Sequence, residues 1–165
     1  MMLRCGLALM VLASGLLAGP GRAGDDAAVA ERLARVREIH GAAGPWAVAG
    51  YRMGERALKE LGLPKHASSL KVVHRCPARV QYSCVADGLQ AATGASAGKL
   101  NLRVERATAE AMRTVIRDEK SGRVLTFTLK PEFIRSVADL PHDRLEREGR
   151  RVAGLRDEEI FSVAE

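Results

Sequence analysis

The sequence lacks any apolar stretch long enough to cross a bilayer, any isolated basic block, any internal repeat and any low-complexity linker. Each absence excludes something. The longest apolar run, Cys5 to Gly19, is shorter than the ~20 residues that a spanning helix needs, so no stable membrane anchor is expected. Lys and Arg number 26 against 20 Asp and Glu, but the two signs interleave, as in Glu31-Arg32, Glu55-Arg56 and Arg144-Leu145-Glu146-Arg147-Glu148. A nucleic-acid partner leaves a clustered basic footprint, and here there is none. Three cysteines are too few for a cluster-binding thiolate set. Gly94 to Lys99 lacks the spacing of a phosphate loop, and Leu100 stands where the magnesium-binding hydroxyl belongs. Gly94-Ala95-Ser96-Ala97-Gly98 spells a nucleophile elbow but lacks the strand before it and the helix after it, so it reads as a turn.

What is present begins with a leader. Met1-Met2-Leu3-Arg4 is a charged start, Cys5 to Gly19 is apolar, Pro20 and Gly21 break a helix, and Gly21-Arg22-Ala23 offers small residues for cleavage. Residues 1–23 are expected to be a signal peptide cut after Ala23, which makes the protein exported, periplasmic or secreted. Cys5 precedes the apolar run, against a lipoprotein signal. Removing the leader takes away Arg4 and Arg22 and leaves one ordinary domain with two cysteines, Cys76 and Cys84.

Periodicity then gives the organisation. Val29, Leu33, Val36 and Ile39 recur at helical spacing. Pro45 opens a second helix, Trp46 to Leu61, which Gly62 and Pro64 end. Gly50 and Gly54 share one face of it and imply close packing against a neighbouring helix. Trp46 and Tyr51 on the same helix read as packing residues, and His66 and His142 as surface residues. Leu70 to Val73 is β-prone, Ser83 to Thr93 helical, and Leu100 to Val104 alternates as a strand does. Met112–Asp118 and Val124–Leu129 form a hairpin through Glu119-Lys120-Ser121-Gly122. From Pro131 to Leu140, and from Arg144 to Glu159 with a break at Gly149 or Gly154, the chain reads as helix. The expected class is α+β, an antiparallel sheet with helices on one face. The domain is expected over residues 24–140, with 141–165 as a helical extension.

Metal-type side chains stand at the element boundaries. His40 ends the first helix, His74 and Cys76 follow the first strand, and Cys84 begins the third helix, where the helix dipole would favour its thiolate. Sulfur with imidazole suits zinc or a related transition metal. In an oxidising compartment Cys76 and Cys84 have the alternative of a disulfide.

Two stretches carry a family resemblance. His40-Gly41-Ala42-Ala43-Gly44-Pro45-Trp46 with Gly50-Tyr51-Arg52-Met53-Gly54 is one. Tyr82-Ser83-Cys84-Val85-Ala86-Asp87-Gly88-Leu89-Gln90 with Thr93-Gly94-Ala95-Ser96-Ala97-Gly98-Lys99-Leu100-Asn101-Leu102 is the other. They resemble the motifs of FmdE proteins, a family named after formylmethanofuran dehydrogenase, over about residues 36–130. The resemblance implies an α+β fold with an antiparallel sheet and a metal site, usually zinc. His40 and Cys84 match its histidine and cysteine. Ala42 replaces a second histidine, Ala95 a frequent cysteine, and Leu100 a glycine.

Three functions follow as expectations. In the first, an exported domain binds zinc, another transition metal or a metal-associated small anionic ligand. Its ligands are His40, Cys84 and His74, with Cys76 in reserve. Asp87 and Gln90 orient the ligands, and Lys99 with the amides of the Gly94–Gly98 turn attracts the anion. The second is a metal- or thiolate-dependent enzyme acting through Cys84. The third is a metal-free interaction domain stapled by a Cys76–Cys84 disulfide.

Overall fold

The computed structural model describes residues 21–165. The expected leader lies outside these residues except for its last three, which stand in the first turn of α1. No helix among the described residues is long and apolar enough to cross a membrane.

Helix α1 (Gly21–His40) buries Val29, Leu33 and Val36, the stripe its periodicity requires. Helix α2 (Pro45–Leu61) begins with proline, whose fixed φ suits a first turn. It ends where Gly62 takes φ +65° and returns its N–H to the Leu58 and Lys59 carbonyls. Strand β1 (Leu70–Cys76) then leads into α3 (Val80–Thr93), closed by Gly94 at φ +72°. Helices α2 and α3 form the centre of the helical layer, and glycine lets their backbones touch. A methyl group on Gly50 would collide with the Val85 carbonyl, and one on Gly88 with the Ala47 carbonyl. The packing role expected for Gly50 and Gly54 is what the structure shows, with Gly88 as its unexpected counterpart.

Strands β2 (Leu102–Arg106), β3 (Arg113–Asp118) and β4 (Val124–Leu129) follow. The hairpin between β3 and β4 turns on Gly122 at φ +79°, with the Asp118 carboxylate accepting from the Lys120 and Ser121 amides. After α4 (Pro131–Val137) and a single 3-10 turn (His142–Arg144) come α5 (Leu145–Gly154), α6 (Asp157–Ile160) and a last strand, β5 (Phe161–Ala164). The five strands lie in the order β2-β1-β3-β4-β5. Alternate residues share one face: Leu70, Val72, His74 and Cys76 of β1, Thr114, Ile116 and Asp118 of β3, and Leu125, Phe127 and Leu129 of β4 are all buried. The register sets Val72 beside Ile116 and Ile116 beside Leu125, one continuous apolar row against the helices.

This is the α+β class that periodicity gave, with an open, mostly antiparallel sheet, and two departures. Strand β2 runs parallel to β1, because helix α3 connects them and a crossover returns the chain in the same direction. The segment from residue 141 is not helical throughout. Its end adds β5 antiparallel to β4, and Phe161 stacks edge-on against Phe127 at 5.3 Å. Residues 158–164 mix charged, small and apolar types without a full helical stripe, and pairing with β4 decides the conformation.

Candidate functional site

One surface cleft, about 620 Å³, is lined by Arg32, Arg52, Glu55, Arg56, Glu60 and Asp157 among others. Its three arginines are each engaged by a carboxylate. Arg52 is buried, donates to the Ala153 and Leu155 carbonyls and pairs with Asp157 at 2.6 Å, while Arg32 meets Glu55 at 2.8 Å. These groups fasten the end of α5 onto α1 and α2, which is a structural task.

A second cavity, about 390 Å³, has a different character. Its polar groups are few, His40, Gln81 and Cys84, and Trp46, Val80, Val137, Leu140 and Leu145 supply most of the rest. His40 reaches it as the last residue of α1. Trp46 stands in the first turn of α2, held edge-on by Tyr82 at 5.0 Å and Phe133 at 6.1 Å. The packing role read for Trp46 is therefore real, and its ring also walls a cavity.

The polar end of this cavity is organised. His40 Nδ1 lies 2.7 Å from Asp87 Oδ2. A carboxylate only accepts, so Nδ1 carries the proton, and in the neutral ring the lone pair belongs to Nε2. That is the arrangement by which a carboxylate orients a metal-binding or base-acting histidine. Asp87 therefore sits where an orienting role was expected of it. Cys84 lines the same cavity, as the resemblance implies, but it does not begin its helix. α3 starts at Val80, one turn earlier, and the Cys84 thiol donates to the Val80 carbonyl at 3.1 Å. Burial first, then the Asp87 charge, pushes its pKa up rather than down. Thiolate activation by the helix dipole is thereby corrected: the dipole acts on the first turn, and Cys84 has left it.

The remaining candidates lie elsewhere. His74 is 1% exposed, with Nε2 3.1 Å from the Tyr82 carbonyl and Nδ1 2.8 Å from the Thr114 hydroxyl. The carbonyl can only accept, so Nε2 holds the proton and Nδ1 accepts from Thr114. Both nitrogens are engaged, and burial lowers the pKa to about 4, which keeps the ring neutral. His74 is a satisfied core histidine rather than a third ligand. Its place on β1, between Val72 and Cys76 on the same buried face, accounts for this. Cys76 is buried at the end of that row, and both Cys76 and Cys84 are free thiols, so the disulfide is not formed.

Gln90 and Lys99 line a separate cleft of about 230 Å³ with Arg35, Lys65 and His66. Lys99 Nζ donates to the Gly94 carbonyl at 2.9 Å, where it ties the turn down. Three of the five turn amides expected to attract an anion are engaged internally: Gly94 with Gln90, Ala95 with Thr93 and Ser96 with Asn101. The first half of the Gly94–Gly98 turn is thus tied to its own neighbours, as a connector between α3 and β2. Sequence reasoning missed Val137, Leu140 and Leu145 as cavity walls. They lie near or in the segment read as an extension, and no spacing ties them to His40.

A metal needs donors, and among the described residues no group of three or more His, Cys, Asp or Glu side chains could hold one. The imidazole and thiol on this cavity are zinc-type donors but only two in number, one short of the three protein ligands of an open zinc site and two short of a closed one.

No curated protein matches the chain. The family model described as FmdE, molybdenum formylmethanofuran dehydrogenase operon, matches residues 39–164. The match takes in the His40 and Cys84 stretches, the cavity and the closing strand, and the chain belongs to the FmdE family.

Proposed function

We propose that this protein is an exported binding domain that holds a transition metal, zinc by choice of donors, at the polar end of the His40–Cys84 cavity. Family membership carries a metal-associated role in general terms. The observation that supports the specific reading is the Asp87–His40 pair, which engages Nδ1 and leaves Nε2 as the ring's other donor atom, while His40 and Cys84 line the same space. His40 and Cys84 would hold the ion, and the positions they leave open are for a small ligand. A metal held there would supply Lewis-acid attraction for an anionic group. Ala42 contributes a methyl group where a ligand would otherwise stand, in keeping with an open site.

A nucleophilic Cys84 acting without a metal has less support: burial and the Asp87 charge push its pKa up, whereas a bound ion would itself draw the proton off the thiol. The leader at residues 1–23 supports export, and protein recovered from its native host should have a mass beginning near Gly24.

The test is metal analysis of the cleaved protein after zinc loading and desalting. About one zinc per chain is expected in the parent, with His40→Ala and Cys84→Ala each losing most of it. Asp87→Asn should weaken zinc by roughly 10–100-fold, the usual effect of removing an orienting partner. A parent that retains no zinc, or variants that retain it fully, would overturn the reading.

A further inference from the structure

One face of the sheet packs against the helices. On the other, the alternate residues of β1, β2, β3 and β4 remain half-buried or exposed. That face gathers Lys71, Arg75, Arg103, Arg113 and Arg117, with Glu105 and Glu119 as its carboxylates. Five cations against two carboxylates leave an excess of three positive charges. Residues 24–165 as a whole have an excess of four, because Arg4 and Arg22 account for the other two of the chain's +6. The five are spread from residue 71 to residue 117, so no basic run marks them in the sequence, and the strand register collects them.

Their placement costs the fold stability. Lys71 stands directly opposite Arg117, and Arg75 opposite Arg113, and like charges so placed destabilise a sheet. Relief is partial. Glu119 lies 3.7 Å from Lys71 and Glu105 lies 2.8 Å from Arg75, while among the described residues Arg103, Arg113 and Arg117 pair with no carboxylate. Strand geometry sets the four facing cations at the corners of a rectangle about 5 Å by about 13 Å. At its centre Val73 faces Val115, both half-buried. All the chain's aromatic residues lie on helices or on the buried sheet face, so this face has no stacking platform for single-stranded nucleic acid. A second copy of the chain would set the same charge against itself.

We propose that this face adheres reversibly to an anionic phospholipid surface. Lipid phosphates neutralise the lysine and the arginines, which relieves the repulsion across β1 and β3. Val73 and Val115 rest on the apolar side of the same interface, where a purely polar polyanion would offer them no partner. A broad sheet face presents its cations to a plane together, whereas none of the five lines a cleft described above. The site is separate from the His40–Cys84 cavity and requires no metal.

The test is co-sedimentation of the cleaved protein with phosphatidylglycerol vesicles and, separately, with phosphatidylcholine vesicles. Binding is expected to the first and not to the second. It should be lost as salt rises from about 0.1 M to about 1 M, which shortens the screening length from about 10 Å to about 3 Å. Each cation near an anionic lipid surface is worth about fivefold, so Arg103→Gln with Arg117→Gln should weaken binding about 25-fold. Both residues are exposed, and Lys71 loses its like-charged neighbour, so this variant should melt no lower than the parent. Arg103→Lys with Arg117→Lys keeps the charge and should bind as the parent does. Arg147→Gln with Arg150→Gln removes the same charge from exposed positions of α5, in the helical layer, and should leave binding nearly unchanged. Equal sedimentation with both vesicles, none with either, binding that survives high salt, or equal losses in the two glutamine variants would overturn the proposal. Tighter binding to a mixed-sequence duplex oligonucleotide than to the vesicles would also overturn it, and would assign the face to nucleic-acid phosphates instead.

Discussion

Three single residues show how local chemistry sets measurable behaviour. His74 titrates near 6.5 when unfolded and near 4 when folded, because burial disfavours its charge. Between those values the unfolded chain binds the additional proton, so stability is full above about pH 6.5 and falls as the pH drops toward 4. The loss amounts to roughly 3 kcal/mol at the low end. Denaturant titrations across that range should show this limb in the parent and a flatter one in His74→Gln. Asp118 acts in a lower window. Ser121 first, then Ser69 and nearby amides, hold its pKa down to about 2, so the stability it contributes is present above its ordinary pKa and is lost as the pH falls toward 2. Leu100 is the third case. It holds φ +54° with its side chain 73% exposed, a left-handed conformation that favours glycine. The glycine that the FmdE motif carries there has this backbone reason. Leu100→Gly should raise stability by about 1 kcal/mol, read as a higher denaturant midpoint at unchanged slope. At this scale the family motifs drew attention to His40, Asp87 and Cys84, of which His40 and Cys84 line one cavity and Asp87 hydrogen-bonds His40. The sequence was misleading for His74 and Lys99, whose types suit a ligand but whose partners, Thr114, Tyr82 and Gly94, come from positions that spacing cannot relate.

Among the elements, the α2–α3 contact is the most sensitive to change. Gly88 meets the Ala47 carbonyl directly, and backbone cannot move aside as a flexible side chain can. Gly88→Ala should destabilise by about 3 kcal/mol or more, the upper range for overpacking, and should lower the melting temperature accordingly. Gly98 has open space around it and no positive φ, so Gly98→Ala should be close to neutral in the same melt. The helices and the β3–β4 hairpin were readable in advance because each carries its own local signal. Pro45 starts a helix, Gly62 and Gly94 stop helices, and Gly122 turns a hairpin. Strand β5 was not readable. It is four residues long, follows an acidic helical turn, and owes its conformation to the open edge of β4. The parallel placement of β2 was equally hidden, since alternation shows a strand and not its direction.

At the scale of the whole molecule, the terminal segment completes both the sheet and the cavity. Phe161 to Ala164 pairs with β4, Arg123 meets Glu165 at 2.6 Å, and Leu145 lines the candidate site. Deleting residues 161–165 should therefore give aggregated protein by size-exclusion chromatography rather than a shorter monomer. A chain is made amino end first, and here the strand that covers β4 is made late. Until Phe161–Ala164 emerges, β4 presents a row of unpaired N–H and C=O groups, a template for any neighbouring strand. The interval between making β4 and covering it is a window of vulnerability set by topology alone. A chaperone that shields strand edges would act on this protein in that interval, and a ribosome stalling after Leu129 would release a chain predisposed to stick to its own kind.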